Sequence, residues 1–406
     1  MNYSVHTLNN GIRIVHLAVD SPVSHCGIMV NAGSRDEEDN EHGIAHFIEH
    51  VIFKGTKKRK AYHILSRLDD VGGEINAYTT KEETAFYAAF LKPHFERALE
   101  LLSDIFFNSV FPKAEIEKEK DVVIDEINSY KDSPADLIFD DFEEIMFKNH
   151  PIGRNILGTP DTIPSFSKES IQSFMDANYH TDQTVFCSVG SYPFQKIVKL
   201  CERYLGSVPE NLSNKNRKPF INYNPLTEIQ KKNPFQAHCI MGNLAYTAMD
   251  KRRMDLVLLN NLLGGQGLNS RLNMSLREKH GYAYSVESSF TPYLDTGILT
   301  IYFGTDKEKL DKSIQLVHKE LKKLRETSLG SMQLHRAKNQ IIGQMAMSSD
   351  NKENLLFSLG KSFLLFNRFD SLEIMNNKFE QITAERLREV ANEVLNPDHM
   401  SQLIYQ

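Results

Sequence analysis

Residues 41–53 read Glu41-His42-Gly43-Ile44-Ala45-His46-Phe47-Ile48-Glu49-His50-Val51-Ile52-Phe53. At helical period His46 and His50 stand four residues apart on one face, with Glu49 beside them. Two imidazoles so spaced are preset to grip one metal ion, and a carboxylate on the same face reaches a water activated by it. Ile44, Ala45, Phe47, Ile48, Val51, Ile52 and Phe53 make the rest of the helix apolar nearly all round. Such a helix is buried. Burying two histidines and a glutamate in it is costly unless a ligand or hydrogen-bond partners compensate. One core histidine needs only a hydrogen bond; three polar groups at this spacing predict a metal site.

At 406 residues the chain has room for two to three domains. Its 41% apolar and 25% charged content predicts a soluble globular protein with material for large cores. A net charge of −6, with no long Lys/Arg block, argues against nucleic acid and anionic membranes as partners. The start of the chain, Met1 to His6, has neither a basic nor an apolar region of the kind a signal peptide carries. No apolar run approaches the roughly 18 residues of a membrane span. Cys26, Cys187, Cys201 and Cys239 are scattered without C-x-x-C spacing, which suits the reduced thiols of a cytoplasmic protein and offers the metal no thiolate set.

Outward from the histidine helix, residues 5–18 alternate around Asn9-Asn10-Gly11 as a β-hairpin, and His25 to Asn31 reads as a strand. A helix over Ala61 to Val71 stops at Gly72-Gly73. Glu74 to Tyr78 and Thr84 to Leu91 read as a strand pair, and Phe95 to Phe107 as a helix. After Pro112 a helix runs from Glu115 to Tyr130. There Glu119 and Glu126, seven apart, share a stripe with Val122 and Val123. Carboxylates on a buried stripe need a cation or donors, and a metal held by two histidines needs a third ligand. Spacing alone leaves Glu119 and Glu126 as equal candidates. Thr184 to Gly190 is a further strand, and the polar, proline-punctuated stretch from Gly206 to Leu226 predicts a linker.

An internal repeat crosses that linker. Ser24-His25-Cys26-Gly27-Ile28-Met29-Val30-Asn31 is echoed by Ala237-His238-Cys239-Ile240-Met241-Gly242-Asn243, and Phe95 to Leu102 by Leu310 to Val317. The second copy of the histidine helix, Met254 to Leu263, holds no histidine or glutamate. The expected architecture is therefore α+β, two similar halves of which only the first carries the metal. It divides into residues 1–210, a linker at 211–230, and residues 231–406.

The chain resembles the pitrilysin/insulinase family of inverted-zincin metallopeptidases, and its short members similar to mitochondrial processing peptidase. The matching stretches are Ala32 to Glu37, His42-Gly43-x-Ala45-His46-x-x-Glu49-His50, Phe53 to Thr56, Gly73 to Thr79, Glu117 to Ile127, Pro151 to Gly158, and Arg277 to Ser285. They follow the family's order along nearly the whole chain. H-x-x-E-H is the reverse of the zincin H-E-x-x-H. The resemblance implies a clamshell of two halves, each a mostly antiparallel sheet with helices packed on it, around a chamber. It implies Zn2+ on His46, His50 and a glutamate about 76 residues beyond, which is Glu126. Glu119 then steadies the site and Glu49 is the general base. The substrate peptide adds as a strand along Asn76-Ala77-Tyr78-Thr79. Arg277 and a tyrosine, Tyr282 in preference to the nearby Tyr284, approach the scissile bond. Short members pair with a second chain, so the resemblance implies a homodimer or a heterodimer with a related chain. The expected activity is zinc-dependent endopeptidase; the rival readings are a non-catalytic assembly subunit and a peptide-binding chamber. Asp295-Thr296-Gly297 reads as a turn between strands, Gly264 to Gly267 follows a helix and matches a glycine turn of that family, and His42 reads as a helix-start residue; His180 has no partner legible in the sequence.

Overall fold

The computed structural model describes residues 3–214, 216–232 and 234–406, and among them eleven strands form two sheets. The first contains β1 (Tyr3–Thr7), β2 (Arg13–Ala18), β3 (Val23–Val30), β4 (Glu74–Thr79), β5 (Thr84–Leu91) and β6 (Thr184–Gly190), in the order β1-β2-β6-β3-β5-β4. Only β2 and β6 run parallel. The second contains β7 (Thr227–Gln230), β8 (Ala237–Leu244), β9 (Ala283–Pro292), β10 (Gly297–Thr305) and β11 (Ser401–Tyr405), in the order β7-β11-β8-β10-β9. Its one parallel pair is β7 and β11. From the parallel pair onward the two orders correspond strand for strand, and the repeated segments occupy the corresponding strands β3 and β8. The fold is α+β, with two similar halves, each a mostly antiparallel sheet carrying helices.

The compact units follow packing and not the contiguous division at 211–230. One comprises Met1–Ser129, Arg154–Arg217 and Met347–Ser371; the other Tyr130–Gly153, Lys218–Ala346 and Leu372–Gln406. A helix from late in the chain, Lys352–Phe366, thus belongs to the first unit, and an early one, Pro134–Met146, to the second.

The reason lies in the sheets. In the first unit the alternation of strand residues sends Ile14, Cys26, Ile28, Phe86 and Phe186 to one face, where the helices Phe95–Asn108 and Phe194–Leu205 cover them. Val15, Leu17, Met29, Val185, Cys187 and Val189 point to the other face, which Leu355, Leu356, Leu359 and Phe363 of Lys352–Phe366 cover. A sheet buried on both faces reads as near-continuous apolar runs, as β6 does. The second unit repeats the solution: Ile138, Phe142 and Met146 lie against Ile240, Ile298, Leu403 and Tyr405. The four cysteines are free and buried. Among the described residues no helix is long and apolar enough to cross a membrane.

Candidate metal centre

The histidine helix spans Ile44–Val51, eight residues, of which Ile44, Ala45, His46, Phe47, Ile48 and Val51 are buried. Its apolar side packs among Phe111, Ile116, Val123, Ile127, Phe166 and Phe174. Three of these come from the helix Lys113–Lys131, whose buried stripe is Ile116, Glu119, Val123 and Ile127. Val122, expected on that stripe, is instead 50% exposed, because the stripe advances by three and four residues from Ile116 and passes it by. Glu126 sits at the margin, its side chain 43% exposed.

This packing brings His46, His50 and Glu126 together, with one ligand atom from each inside a span of 4.8 Å. His46 Nε2 lies 3.9 Å from Glu126 Oε1, and His50 Nε2 lies 3.4 Å from Glu126 Oε2. Tetrahedral Zn2+ with bonds of about 2.1 Å separates its ligand atoms by about 3.4 Å, so this donor set fits that ion. On the far side of the His50 ring, Nδ1 meets Glu119 Oε1 at 2.9 Å, and Lys54 Nζ meets the other Glu119 oxygen at 2.7 Å. His46 Nδ1 is buried and has no hydrogen-bond partner among the described residues.

The electrostatics suit a cation held between these groups. Burial, aided by the neighbouring His50, lowers His46 to about 3, so its ring is neutral and free to donate a lone pair. Burial also disfavours the His50 cation, but the Glu119 hydrogen bond and the charges of Glu126, Glu119 and Glu49 outweigh it and raise the ring. Burial works to raise Glu119; His50 and Lys54 prevail and hold it below the usual carboxylate range. Glu49, half-buried, is pushed up by burial, against the Thr79 hydroxyl and His50.

Thr79 ends β4, which is an edge of its sheet and pairs only with β5 among the described strands. Within it Asn76 is exposed, its Oδ1 accepting from the Ala77 N–H, and Ala77 is buried. The Tyr78 hydroxyl donates to Glu83 at 3.1 Å, and its ring packs on Tyr87 and Phe357. Arg277, Tyr282 and Tyr284 belong to the second unit. There the Arg277 guanidinium lies 5.2 Å from the centre of the Tyr284 ring, and Tyr284 is 82% exposed. The Tyr282 ring lies under Lys309.

Other histidines and turns have structural roles. His42 Nε2 bonds the Asn155 carbonyl at 3.0 Å, off the metal-facing side. His180, without a partner in the sequence reading, bridges Asn211 Oδ1 and the Ala177 carbonyl. Asp295 and Thr296 form the turn between β9 and β10, and Gly264 closes the helix Arg253–Gly264. Two residues near the centre had no role assigned from sequence: Lys54, described above, and Glu37. Glu37 is buried and accepts hydrogen bonds from the Gly43 and Ala45 N–H groups, both at 2.9 Å. Both partners are backbone groups, which no side-chain pattern marks; the residue just before the helix is Gly43, which has no side chain to cap it.

Comparison with known proteins bears on the family and the fold. The family Insulinase (Peptidase family M16) matches residues 14–160, and the Peptidase M16 inactive domain matches residues 165–341. The chain is 34% identical over 403 residues to the "Uncharacterized zinc protease YmxG" of Bacillus subtilis, covering 98% of this chain and 97% of that protein. It is 32% identical over 411 residues to an "Uncharacterized zinc protease" of Rickettsia bellii, covering 99% and 97%. A protease from Helicobacter pylori has the same fold, with a TM-score of 0.91 at 22% identity, covering 100% of this chain and 99% of that one. So does a peptidase M16 inactive domain from Pseudomonas fluorescens, with a TM-score of 0.92 at 19% identity, covering 100% and 98%. With a relative above 30% identity along nearly its whole length, and both family patterns in sequence order, the chain belongs to the insulinase family of peptidases, M16.

Proposed function

We propose that this protein is a zinc-dependent endopeptidase that hydrolyses peptides or unfolded polypeptide segments. The observation that carries the reading is the convergence of His46 Nε2, His50 Nε2 and the Glu126 carboxylate, with Glu49 on the same helix face. These three residues would hold Zn2+, which when bound supplies Lewis acidity, lowering the pKa of a water and polarising the scissile carbonyl. Glu49 takes the proton of the attacking water and passes it to the leaving amine. Its raised pKa brings it closer to the working pH, where one group both accepts and returns a proton. Glu119 keeps the proton on His50 Nδ1 and so leaves Nε2 as a donor atom. The edge of β4, unpaired among the described strands, offers backbone groups to which an extended peptide adds as a strand through Asn76-Ala77-Tyr78-Thr79. Arg277 and Tyr282 orient the substrate in this reading.

The test is zinc content measured together with peptide cleavage, on the unaltered chain and on Glu49→Gln. About one zinc per chain in both, with cleavage in the unaltered chain only, supports the reading. Zinc without cleavage in either points to a missing partner chain or to a non-catalytic subunit, and absence of zinc overturns the proposal.

A further inference from the structure

We propose that Glu37 is a positioning residue of the metal centre, its buried carboxylate setting the register and tilt of the short helix that carries His46, Glu49 and His50. The inference rests on the zinc reading above and adds to it how the ligand helix is held.

A helix begins with backbone N–H groups that have no partner inside it, and the residue before the first turn ordinarily supplies a side-chain oxygen. Here that position is Gly43, and no capping side chain fits there. Its φ is +96°, and a Cβ would stand 2.6 Å from Gly158 Cα and 2.8 Å from the Leu157 carbonyl oxygen. The cap therefore comes from six residues upstream. Glu37 Oε2 accepts from Gly43 N–H and Oε1 from Ala45 N–H, each at 2.9 Å, while Glu37 itself is 3% exposed. Ala45 precedes His46 directly. A helix of only two turns has little else to fix its start.

Glu37 is itself anchored from two sides. Arg154 donates to the Glu37 carbonyl at 3.2 Å and to the Glu38 carbonyl at 3.3 Å. On the other side Asp36 takes two hydrogen bonds of 2.8 Å from Arg217, a pair almost wholly buried. The Asn155 and Thr162 contacts to His42 complete the clasp around the helix start. The carboxylate is thus a fixed point between two pinned stretches of chain and the ligand helix.

The experiment compares Glu37→Ala and Glu37→Gln with the unaltered chain, reading zinc affinity by competition with a chromophoric chelator and thermal unfolding of the metal-free protein. Thr383→Ala serves as the control, because it removes a helix cap in the second unit, where Thr383 Oγ1 accepts from Arg386 N–H. Positioning predicts that Glu37→Ala weakens zinc binding by at least about tenfold, that Glu37→Gln, keeping one acceptor oxygen, loses less, and that Thr383→Ala loses stability alone. Unchanged zinc affinity in a folded Glu37→Ala, with only its unfolding temperature lowered, overturns the positioning role and leaves the metal reading standing. If Glu37→Ala does not fold, Glu37→Gln decides the question by the same criterion. An unaltered chain that binds no zinc removes both.

Discussion

His50 and Glu119 are joined by a hydrogen bond of 2.9 Å between Nδ1 and Oε1, and Lys54 holds the other carboxylate oxygen at 2.7 Å. An ionised carboxylate only accepts, so a ring proton sits on Nδ1, and Nε2 is the ring atom turned toward Glu126. Glu119→Ala frees the ring to rotate and to change tautomer. Zinc affinity is expected to fall about 10- to 100-fold, with Glu119→Gln intermediate because its amide oxygen still accepts. Chelator competition on the folded variants checks this; equal affinities would show that the Nδ1 contact does nothing for the metal.

Lys54 acts one step further out. Its ammonium holds Glu119 below the usual carboxylate range together with the His50 bond. Lys54→Met removes the charge and keeps the stem, so it is expected to weaken zinc binding in the same direction as Glu119→Ala but by less. A loss larger than that of Glu119→Ala would mean that Lys54 works through some other group.

Glu37 gives the protein a pH dependence of definite sign. Burial raises its carboxyl to about 8, against the Gly43 and Ala45 N–H bonds and the Arg154 charge, with Glu41 adding to the rise. A glutamate whose folded pKa exceeds its unfolded value binds its proton more tightly in the folded state. Its contribution to stability is therefore present below about 4.5 and is lost as pH rises toward 8. The loss can reach about 1.4 kcal/mol per pH unit within that window. Thermal unfolding of the metal-free chain and of Glu37→Gln between pH 5 and 8 should show the unaltered chain losing ground to the variant as pH rises. Parallel profiles would contradict the raised pKa.

Much of this was legible in the sequence because local periodicity reports local structure. The turn at Asn9 to Gly11, the strand pair before Phe95 and the histidine helix were each marked by spacing and punctuation. The repeat disclosed two similar halves, and the sheets carry it in β3 and β8. What spacing could not disclose was destination. The apolar face of Lys352–Phe366 shows that the helix is buried on one side, not that the sheet it covers lies in the first unit; the same is true of Pro134–Met146. Val122 was misplaced because a run of three β-branched residues, Val122, Val123 and Ile124, hides which one faces inward. Glu37 was missed because its partners are backbone groups, which a sequence does not mark.

The exchanged helix Lys352–Phe366 supplies the last prediction. Its Gly360 is buried, and a Cβ there would stand 2.1 Å from Met29 Sδ and 3.1 Å from Cys187 Sγ. Replacing a helical glycine ordinarily gains free energy from propensity alone. Here Met29 is wholly buried between the sheet and this helix, so the thioether has no solvent to move into, although its chain is flexible. Overpacking is expected to win, and Gly360→Val should destabilise the protein by about 1–3 kcal/mol. Met29→Ala, which opens space at the same point, should restore part of the loss, so that the double variant costs less than the sum of the two single changes. Denaturant unfolding of the four chains measures this. Strict additivity would mean that the helix does not press on β3 where Gly360 meets Met29, and a stabilised Gly360→Val would mean that it does not pack there at all.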